Sequence, residues 1–325
     1  MLKKMLGLLL VLGLLGAGSA WLVYSAHRPT HLPLVVVIPP NQGVRDIAHT
    51  LAAADAIHSE IGFALMAKAS GQANQLKAGT YRFESPLSMW AVMQKLVRGE
   101  TSLQGLTIRE GWTLRQFRAE LDRHPALRHD TSQWTDAELL AKLKLNATHG
   151  EGLFFPDTYL FAKQSRDLDI LARAYRTMQR HLKREWDGRD PGLPYSDPYQ
   201  ALIMASIVEK ETGREADRGH VAAVFVNRLR LGMLLQTDPT VIYGLGERFD
   251  GNLRKRDLLA DTPYNTYTRA GLTPTPIAMP GLASLRAALH PANSPALYFV
   301  ARGDGSSQFS RTLEEHNQAD RKSVV

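Results

Sequence analysis

The chain contains no cysteine, which excludes a disulfide framework and any thiolate metal site. Several motifs of common enzyme classes are missing as well. There is no HExxH helix, no GxSxG elbow, no P-loop and no GxGxxG after a strand. Zinc-protease, serine-hydrolase and nucleotide chemistry therefore have no support in the sequence. The 11 histidines are scattered, and none stands at metal-ligand spacing from a carboxylate. His290 and His316 read as ordinary polar contacts, so no metal or other cofactor is expected. Blocks of one charge are also absent. Lys and Arg number 39 against 32 Asp and Glu, a net charge of +7, but the basic residues are dispersed and form no nucleic-acid patch. The surplus suits an anionic partner such as a membrane surface or an acidic polymer.

What is present is a 325-residue chain of ordinary globular composition, 44% hydrophobic and 22% charged, enough for about two domains. Lys3 and Lys4 precede a charge-free run from Met5 to Tyr24, closed by His27-Arg28-Pro29. Roughly twenty apolar residues span a bilayer core. Gly18-Ser19-Ala20 resembles a signal-peptidase site, but Trp21-Leu22-Val23-Tyr24 continues the apolar run with interfacial aromatics. The run is read as an uncleaved single-pass anchor in the cytoplasmic (inner) membrane. The lysines hold the N-terminus in the cytoplasm, and the remainder lies outside.

Beyond the linker Arg28 to Pro33, strand-like Leu34–Ile38 is followed by the turn Pro39 to Gly43. Val44, Ile47, Ala48 and Leu51 then recur at helical spacing. The design repeats without a gap. Leu106-Thr107-Ile108, the turn Arg109-Glu110-Gly111, then Leu114, Phe117 and Leu121 align with the first copy and suggest two related βα units. Between them lie a strand, Leu76 to Phe83, and an amphipathic helix, Ser88 to Arg98. This β-α-(α)-β-α arrangement resembles the LysM-like module that precedes the catalytic domain of some cell-wall enzymes. A polar helix at Thr135 to Leu145, an aromatic turn segment at Glu151 to Tyr159 and a long basic helix at Asp167 to Glu185 follow. Near the C-terminus, a hairpin turns at Gly303 to Ser306, and Thr312 with Glu315 caps a last helix.

Ala201 to Thr212 is an almost wholly apolar helix ending in two carboxylates, Glu209 and Glu211. Asp197 is a good N-cap, Pro198 suits the first helical position and Gly213 is a natural stop. With apolar residues on nearly every side, the helix should be buried. Burial raises a carboxyl pKa and lets a Glu act as general acid near neutral pH. The same pattern also fits glutamates that merely emerge into solvent at a helix end. Two residues apart, the pair stands about 200° apart around the axis and cannot face one site together. A two-carboxylate glycosidase would have to recruit a further acid, for which Asp238 is the obvious choice. Otherwise one glutamate works alone as acid and then base, with the nucleophile supplied by the substrate. Asp238 reads as an N-cap backed by Pro239. Tyr264-Asn265-Thr266-Tyr267 alternates rings with amide or hydroxyl groups, as both sugar sites and stable turns do.

Ala205 to Thr212, Val226-Asn227-Arg228-Leu229, Leu235 to Gly244, Tyr264 to Tyr267, Gly271 to Gly281, Tyr298-Phe299-Val300 and Glu315-His316-Asn317 together resemble the endolytic murein transglycosylases, the MltG or YceG-like family. Glu151 to Tyr159 fits the same family's pre-catalytic segment. The resemblance implies cleavage of the MurNAc–GlcNAc β-1,4 bond in nascent peptidoglycan, leaving 1,6-anhydroMurNAc ends, with Glu209 as the catalytic residue. It further implies that Gln236, Asp238, Tyr264, Asn265 and Tyr267 line the glycan groove, and that peptidoglycan synthases are partners. The expected fold is α+β: an N-terminal transmembrane helix (1–27), a LysM-like βα module with linker (28–125), a connecting helical region (126–197) and a mixed α/β catalytic domain (198–325) whose buried helix carries the catalytic Glu. A hydrolytic muramidase and a non-catalytic wall-binding scaffold are the alternative readings.

Overall fold

The computed structural model describes Gly18, Trp21 and residues 23–323. The expected anchor lies outside the described residues except for Gly18, Trp21, Val23 and Tyr24. Among the described residues no helix is long and apolar enough to cross a membrane. The fold is mixed α+β, with many helices and small two-stranded sheets. The chain divides into two compact units, one formed by residues 1–105 with 160–165 and the other by 106–159 with 166–325.

The first unit contains β1 (Ala26–His27), β2 (Leu34–Ile38), α1 (Val44–Ala53), α2 (Glu60–Ala69), β3 (Gly79–Phe83), β4 (Leu87–Ser88) and α3 (Met89–Arg98). β2 and β3 pair antiparallel from Leu34↔Phe83 to Ile38↔Gly79. Strand alternation puts Val36 and Ile38 in the core and Val35 and Val37 in solvent. Ile47, Ala48 and Leu51 of α1, Phe63 and Met66 of α2, and Met89, Val92, Met93 and Leu96 of α3 close over them. The helix starts follow local chemistry: Ser59 and Ser88 accept the amides of Gly62 and Ala91, satisfying donors with no intrahelical partner. Gly99, at φ 71°, stops α3. α2 is apolar on most sides and leaves Ile61 and Leu65 exposed, so it carries no one-sided stripe that would delimit it in the sequence.

Further along the chain come β5 (Leu103–Thr107), α4 (Leu114–Arg123), β6 (Leu127–Arg128), α5 (Asp136–Lys142), β7 (Thr158–Ala162), β8 (Ser165–Arg166) and α6 (Asp167–Asp187). β5 pairs with β7 and β6 with β8. The two expected strand–turn–helix copies both form, and their helices begin at the aligned positions Val44 and Leu114. Next are α7 (Pro198–Glu211), α8 (Glu215–Arg230), α9 (Asp238–Leu245), α10 (Lys255–Leu259), α11 (Leu282–Leu289), the hairpin β9 (Tyr298–Arg302) and β10 (Ser306–Ser310), and α12 (Leu313–Ser323).

α7 is the centre of the second unit. Asp197 accepts the Gln200 amide at 3.0 Å and Pro198 opens the helix, as its sequence foretells. Every residue from Ala201 to Val208 is buried, because α6, α8, α9 and α11 all pack against it. Full burial of each Leu, Ile, Val or Met there contributes about 1.5–3 kcal/mol, an upper figure against an extended unfolded chain. The polar exception is Ser206, wholly buried. Its hydroxyl donates to Ile203 O at 2.7 Å and accepts the Ile277 amide at 3.0 Å. That bond ties the Thr273–Met279 strap to the helix.

One expectation is corrected. Asp238 is the first residue of α9 rather than its cap; Thr237 occupies the cap position and makes no side-chain cap bond. With Pro239 behind it supplying no donor, the Asp238 carboxylate bonds the Tyr267 hydroxyl instead, at 2.5 Å.

Candidate active site

The two carboxylates at the end of α7 enter different surroundings, as their separation around the axis requires. Glu209 is half-buried, and its Oε2 accepts the Gly281 amide at 2.9 Å. Gly281 is the N-cap of α11, so this donor is one of the amides a helix start leaves free. The turn Arg109-Glu110-Gly111 lies against the same place. Gly111, at φ +75°, approaches Glu209 Cγ to within about 3.8 Å of where a Cβ would stand. Lys210 Nζ donates to Gly111 O at 3.4 Å. Glu110 is the carboxyl beside Glu209. Burial pushes its pKa up, the charge of Glu209 pushes it further, and Arg218 partly offsets both.

Glu211 turns to the opposite side and accepts the Thr237 hydroxyl. Burial raises its pKa. The Thr237 bond opposes the rise, Asp238 adds to it and Arg228 offsets it. Arg228 is itself buried, donating from Nε to Leu297 O at 2.7 Å and from Nη1 to Leu235 O at 2.8 Å, with its guanidinium over the Tyr298 ring. Of the residues singled out from the sequence, Gln236, Asp238 and Tyr267 gather here. Gln236 adopts φ 50° and its Oε1 lies 3.5 Å from Arg228 Nη1. Asn265 is fully buried and serves as a loop clamp. Its Nδ2 donates to the carbonyls of Asp257, Leu258 and Ala260, and its Oδ1 accepts the Tyr267 amide.

Tyr264 belongs to a third place, a cavity of about 850 Å³ lined among others by Gln116, His149, Glu151, Lys210, Tyr243 and Tyr264. Its hydroxyl pairs with Thr275 Oγ1 at 2.8 Å, and its ring stands edge-on to Tyr243 at 5.0 Å. Two rings with hydroxyls and an amide suit a sugar, which presents both apolar faces and hydroxyls. Glu151 closes the cavity. One oxygen accepts the Leu114 amide at 2.9 Å, at the first turn of α4, and the other accepts the Tyr243 hydroxyl at 3.1 Å. Only 8% exposed, its carboxyl is pushed up to about 7 by burial, against the pull of those two donors.

Glu110 escapes a functional reading of the sequence, and Glu151 and Gly281 enter it only within the family-like segments Glu151 to Tyr159 and Gly271 to Gly281, because what joins them to the site is tertiary. Their one local signal is a Glu-Gly pair in a turn, at Glu110-Gly111 and Glu151-Gly152. Both glycines take positive φ. Among the described residues the fold also assembles a His–carboxylate group that spacing does not reveal, Asp122, His129 and Asp167, with ligand-type atoms within 4.8 Å of one another. Asp167 is already engaged by the amides of Asp130, Thr131 and Leu168 and by the Thr131 hydroxyl, so its lone pairs serve the loop.

Fold and site together define an α+β protein with a group of carboxyls at the end of a buried helix. The comparison with known proteins is specific. Residues 36–322 match the YceG-like family, and the chain belongs to it. A Bacillus subtilis (strain 168) protein named endolytic murein transglycosylase is 33% identical over 320 residues, covering 93% of this chain and 88% of its own length. A protein of the same name from Streptococcus pneumoniae serotype 2 (strain D39 / NCTC 7466) is 27% identical over 355 residues, covering 95% of this chain and 63% of its own length. The crystal structure of a YceG-like protein from Listeria monocytogenes superposes with a TM-score of 0.56 at 32% identity, covering 88% of this chain and 98% of that one.

Proposed function

We propose that the chain is a membrane-anchored endolytic murein transglycosylase that cleaves MurNAc–GlcNAc β-1,4 bonds in nascent glycan strands and leaves 1,6-anhydroMurNAc ends. Membership of the YceG-like family and the names of its relatives support the lytic transglycosylase class. The observation that carries the mechanism is the setting of Glu209: a half-exposed carboxyl on a rigid buried helix, with one oxygen held by the Gly281 amide. That hold leaves Oε1 for the substrate. In its acid form Glu209 protonates the leaving GlcNAc O4 as the C1–O4 bond breaks. The carboxylate then takes the proton of the MurNAc 6-hydroxyl as O6 bonds to C1, so no water enters and the glutamate is regenerated. Glu211 is a poorer choice because it is more deeply buried and one of its oxygens accepts the Thr237 hydroxyl.

Tyr264 is the groove residue with the best support, since it lines the cavity. Gln236, Asp238 and Tyr267 belong to the Glu211 side, and Asn265 acts through the loop it clamps. In the first unit, the order β2-α1-α2-β3 with antiparallel outer strands supports a LysM-like module that holds glycan. Lys3 and Lys4 before the Met5 to Tyr24 run support an inner-membrane anchor with the rest of the chain extracytoplasmic, where peptidoglycan synthases would be neighbours. Mass spectrometry of the products from purified glycan strands tests the reading. Anhydro-MurNAc ends from wild type and none from Glu209→Gln are expected. Reducing MurNAc ends would establish a hydrolytic muramidase instead, and cleavage by Glu209→Gln would remove Glu209 from the mechanism.

A further inference from the structure

The chain leaves the expected anchor without slack. The segment Arg28 to Pro33, fully extended, would make a tether of about 20 Å, but it is clamped to the first unit. β1 pairs with β4, Ala26 opposite Ser88 and His27 opposite Leu87. Val23 packs on the unit's core, and the Tyr24 ring lies 6.1 Å from that of Trp90 at the start of α3. Asp55 holds the next turn. Its Oδ1 bonds His27 Nε2 at 2.8 Å, and its Oδ2 accepts the amide and the hydroxyl of Thr30 at 2.6 and 2.8 Å. The first unit therefore begins where the apolar run ends.

The same exit lies against the start of α2. The rings of His27 and His58 stand 5.8 Å apart, and Ser59 caps α2 directly after. At about 1.5 Å per residue, the whole helix stays within about 15 Å of that cap. Ile61 is 74% and Leu65 63% exposed, one turn apart on one side of α2. They line a shallow depression of about 280 Å³ together with Arg45, Glu60, Ala64 and Lys68. Glu60 is paired with His49 at 3.2 Å. Arg45 and Lys68 are exposed, and so is Arg28 at the exit. An exposed apolar pair rimmed by cations suits an interfacial helix.

We propose that α2 docks the first unit onto the anionic surface of the bilayer that holds the anchor. Ile61 and Leu65 enter the headgroup boundary, and Arg45 and Lys68 meet lipid phosphates. This rests on the reading of Met5 to Tyr24 as an anchor. The bilayer is favoured over a second copy of the chain because the apolar run ends beside this helix and the cations match the charge of a lipid surface. Trp21 and Tyr24 then sit at headgroup level, where such rings collect, and the Asp55 clamp holds the start of α2 near the same level. Insertion by about 5–10 Å is enough to cover both apolar side chains. A unit held by its exit and by α2 does not swing on a tether, so its β2-α1-α2-β3 module stays beside the membrane.

The chain has no cysteine, so Trp21→Cys and Ile61→Cys each give the full chain a single site for an environment-sensitive fluorophore. The labelled chains are reconstituted in phosphatidylcholine–phosphatidylglycerol vesicles, with and without lipids that carry a nitroxide high in the acyl chain. Nitroxide quenching of at least about twofold is expected at both positions. Adding Arg45→Glu and Lys68→Glu to the Ile61-labelled chain should lower its docked-to-free ratio about tenfold or more. The same two changes should leave quenching at Trp21 and the melting temperature as they are. Quenching at Trp21 but not at Ile61 overturns the docking and leaves the anchor standing. Quenching at neither removes the anchor reading and the docking with it. A fluorophore at Ile61 that is shielded but unquenched, increasingly so at higher protein-to-lipid ratio, makes a second copy the occupant and overturns the proposal. Quenching at Ile61 that the charge reversal does not move overturns it as well. If Ile61→Cys does not fold, Leu65→Cys gives the same reading.

Discussion

Glu209 and Glu211 share one helix and almost one residue context, yet the structure gives them opposite circumstances. Glu209 is half-buried, meets the Gly281 amide and acts by its charge on Glu110. Glu211 meets a hydroxyl, Asp238 and a buried guanidinium, and its pKa rises mainly through burial. Burial by itself would choose Glu211 as the acid, and Glu151, pushed up to about 7, would compete with it. The contrast teaches that a raised pKa marks a desolvated carboxyl, while catalysis also needs an oxygen left free to reach substrate. Glu151 has both oxygens on internal donors, and Glu211 is the more deeply buried of the α7 pair, with one oxygen on the Thr237 hydroxyl.

Four substitutions test that contrast, beginning with the largest effect. Glu209→Gln is expected to cost on the order of 10³-fold or more in turnover with an unchanged melting temperature, read by product mass spectrometry and circular dichroism. Glu151→Gln should act on stability as a function of pH. Its folded pKa of about 7 stands above the ordinary 4.5, so the folded state binds the extra proton between those values. The stabilisation is complete below pH 4.5 and is lost as pH rises to about 7. Across that window wild type should lose about 3 kcal/mol relative to Glu151→Gln, at 1.36 kcal/mol per unit, measured by urea midpoints at pH 4.5 and pH 8.

Glu211→Ala leaves the Thr237 hydroxyl without its acceptor and should destabilise by about 1–3 kcal/mol. Most activity per folded molecule should persist; a loss matching that of Glu209→Gln would reverse the choice between the two. Tyr267→Phe removes the bond to Asp238 and is expected to cost about 1–2 kcal/mol in thermal stability, with kcat within about twofold of wild type. A larger fall in kcat would place the Glu211 side in contact with substrate.

Much of the architecture is legible in the sequence because it is written in local terms. Asp197 and Pro198 announce α7, its unbroken apolar run announces burial, and the repeated strand–turn–helix spacing locates Val44 and Leu114 as helix starts. The Thr312–Glu315 cap also forms as expected. What is illegible depends on chain segments meeting across long separations. Glu110 joins Glu209 only because Met279 and Gly281 arrive between them, and Glu151 is buried because it caps a helix that precedes it in the chain. Asp238 shows a finer limit. Its one-residue displacement from the cap position moves its carboxylate from backbone duty to Tyr267, and residue type does not distinguish the two. Helical geometry separates Glu209 from Glu211 but does not rank them; the choice of Glu209 comes from the family resemblance.

The packing of α7 against α11 has a consequence in time. Contacts between segments so far apart in sequence carry a loop-closure cost that slows folding. The amide that holds Glu209 belongs to Gly281, at the entrance of α11. A chain still emerging from synthesis carries the glutamate long before it has that amide. The bond that fixes Glu209 Oε2 is thus completed only after the chain has been made through Gly281.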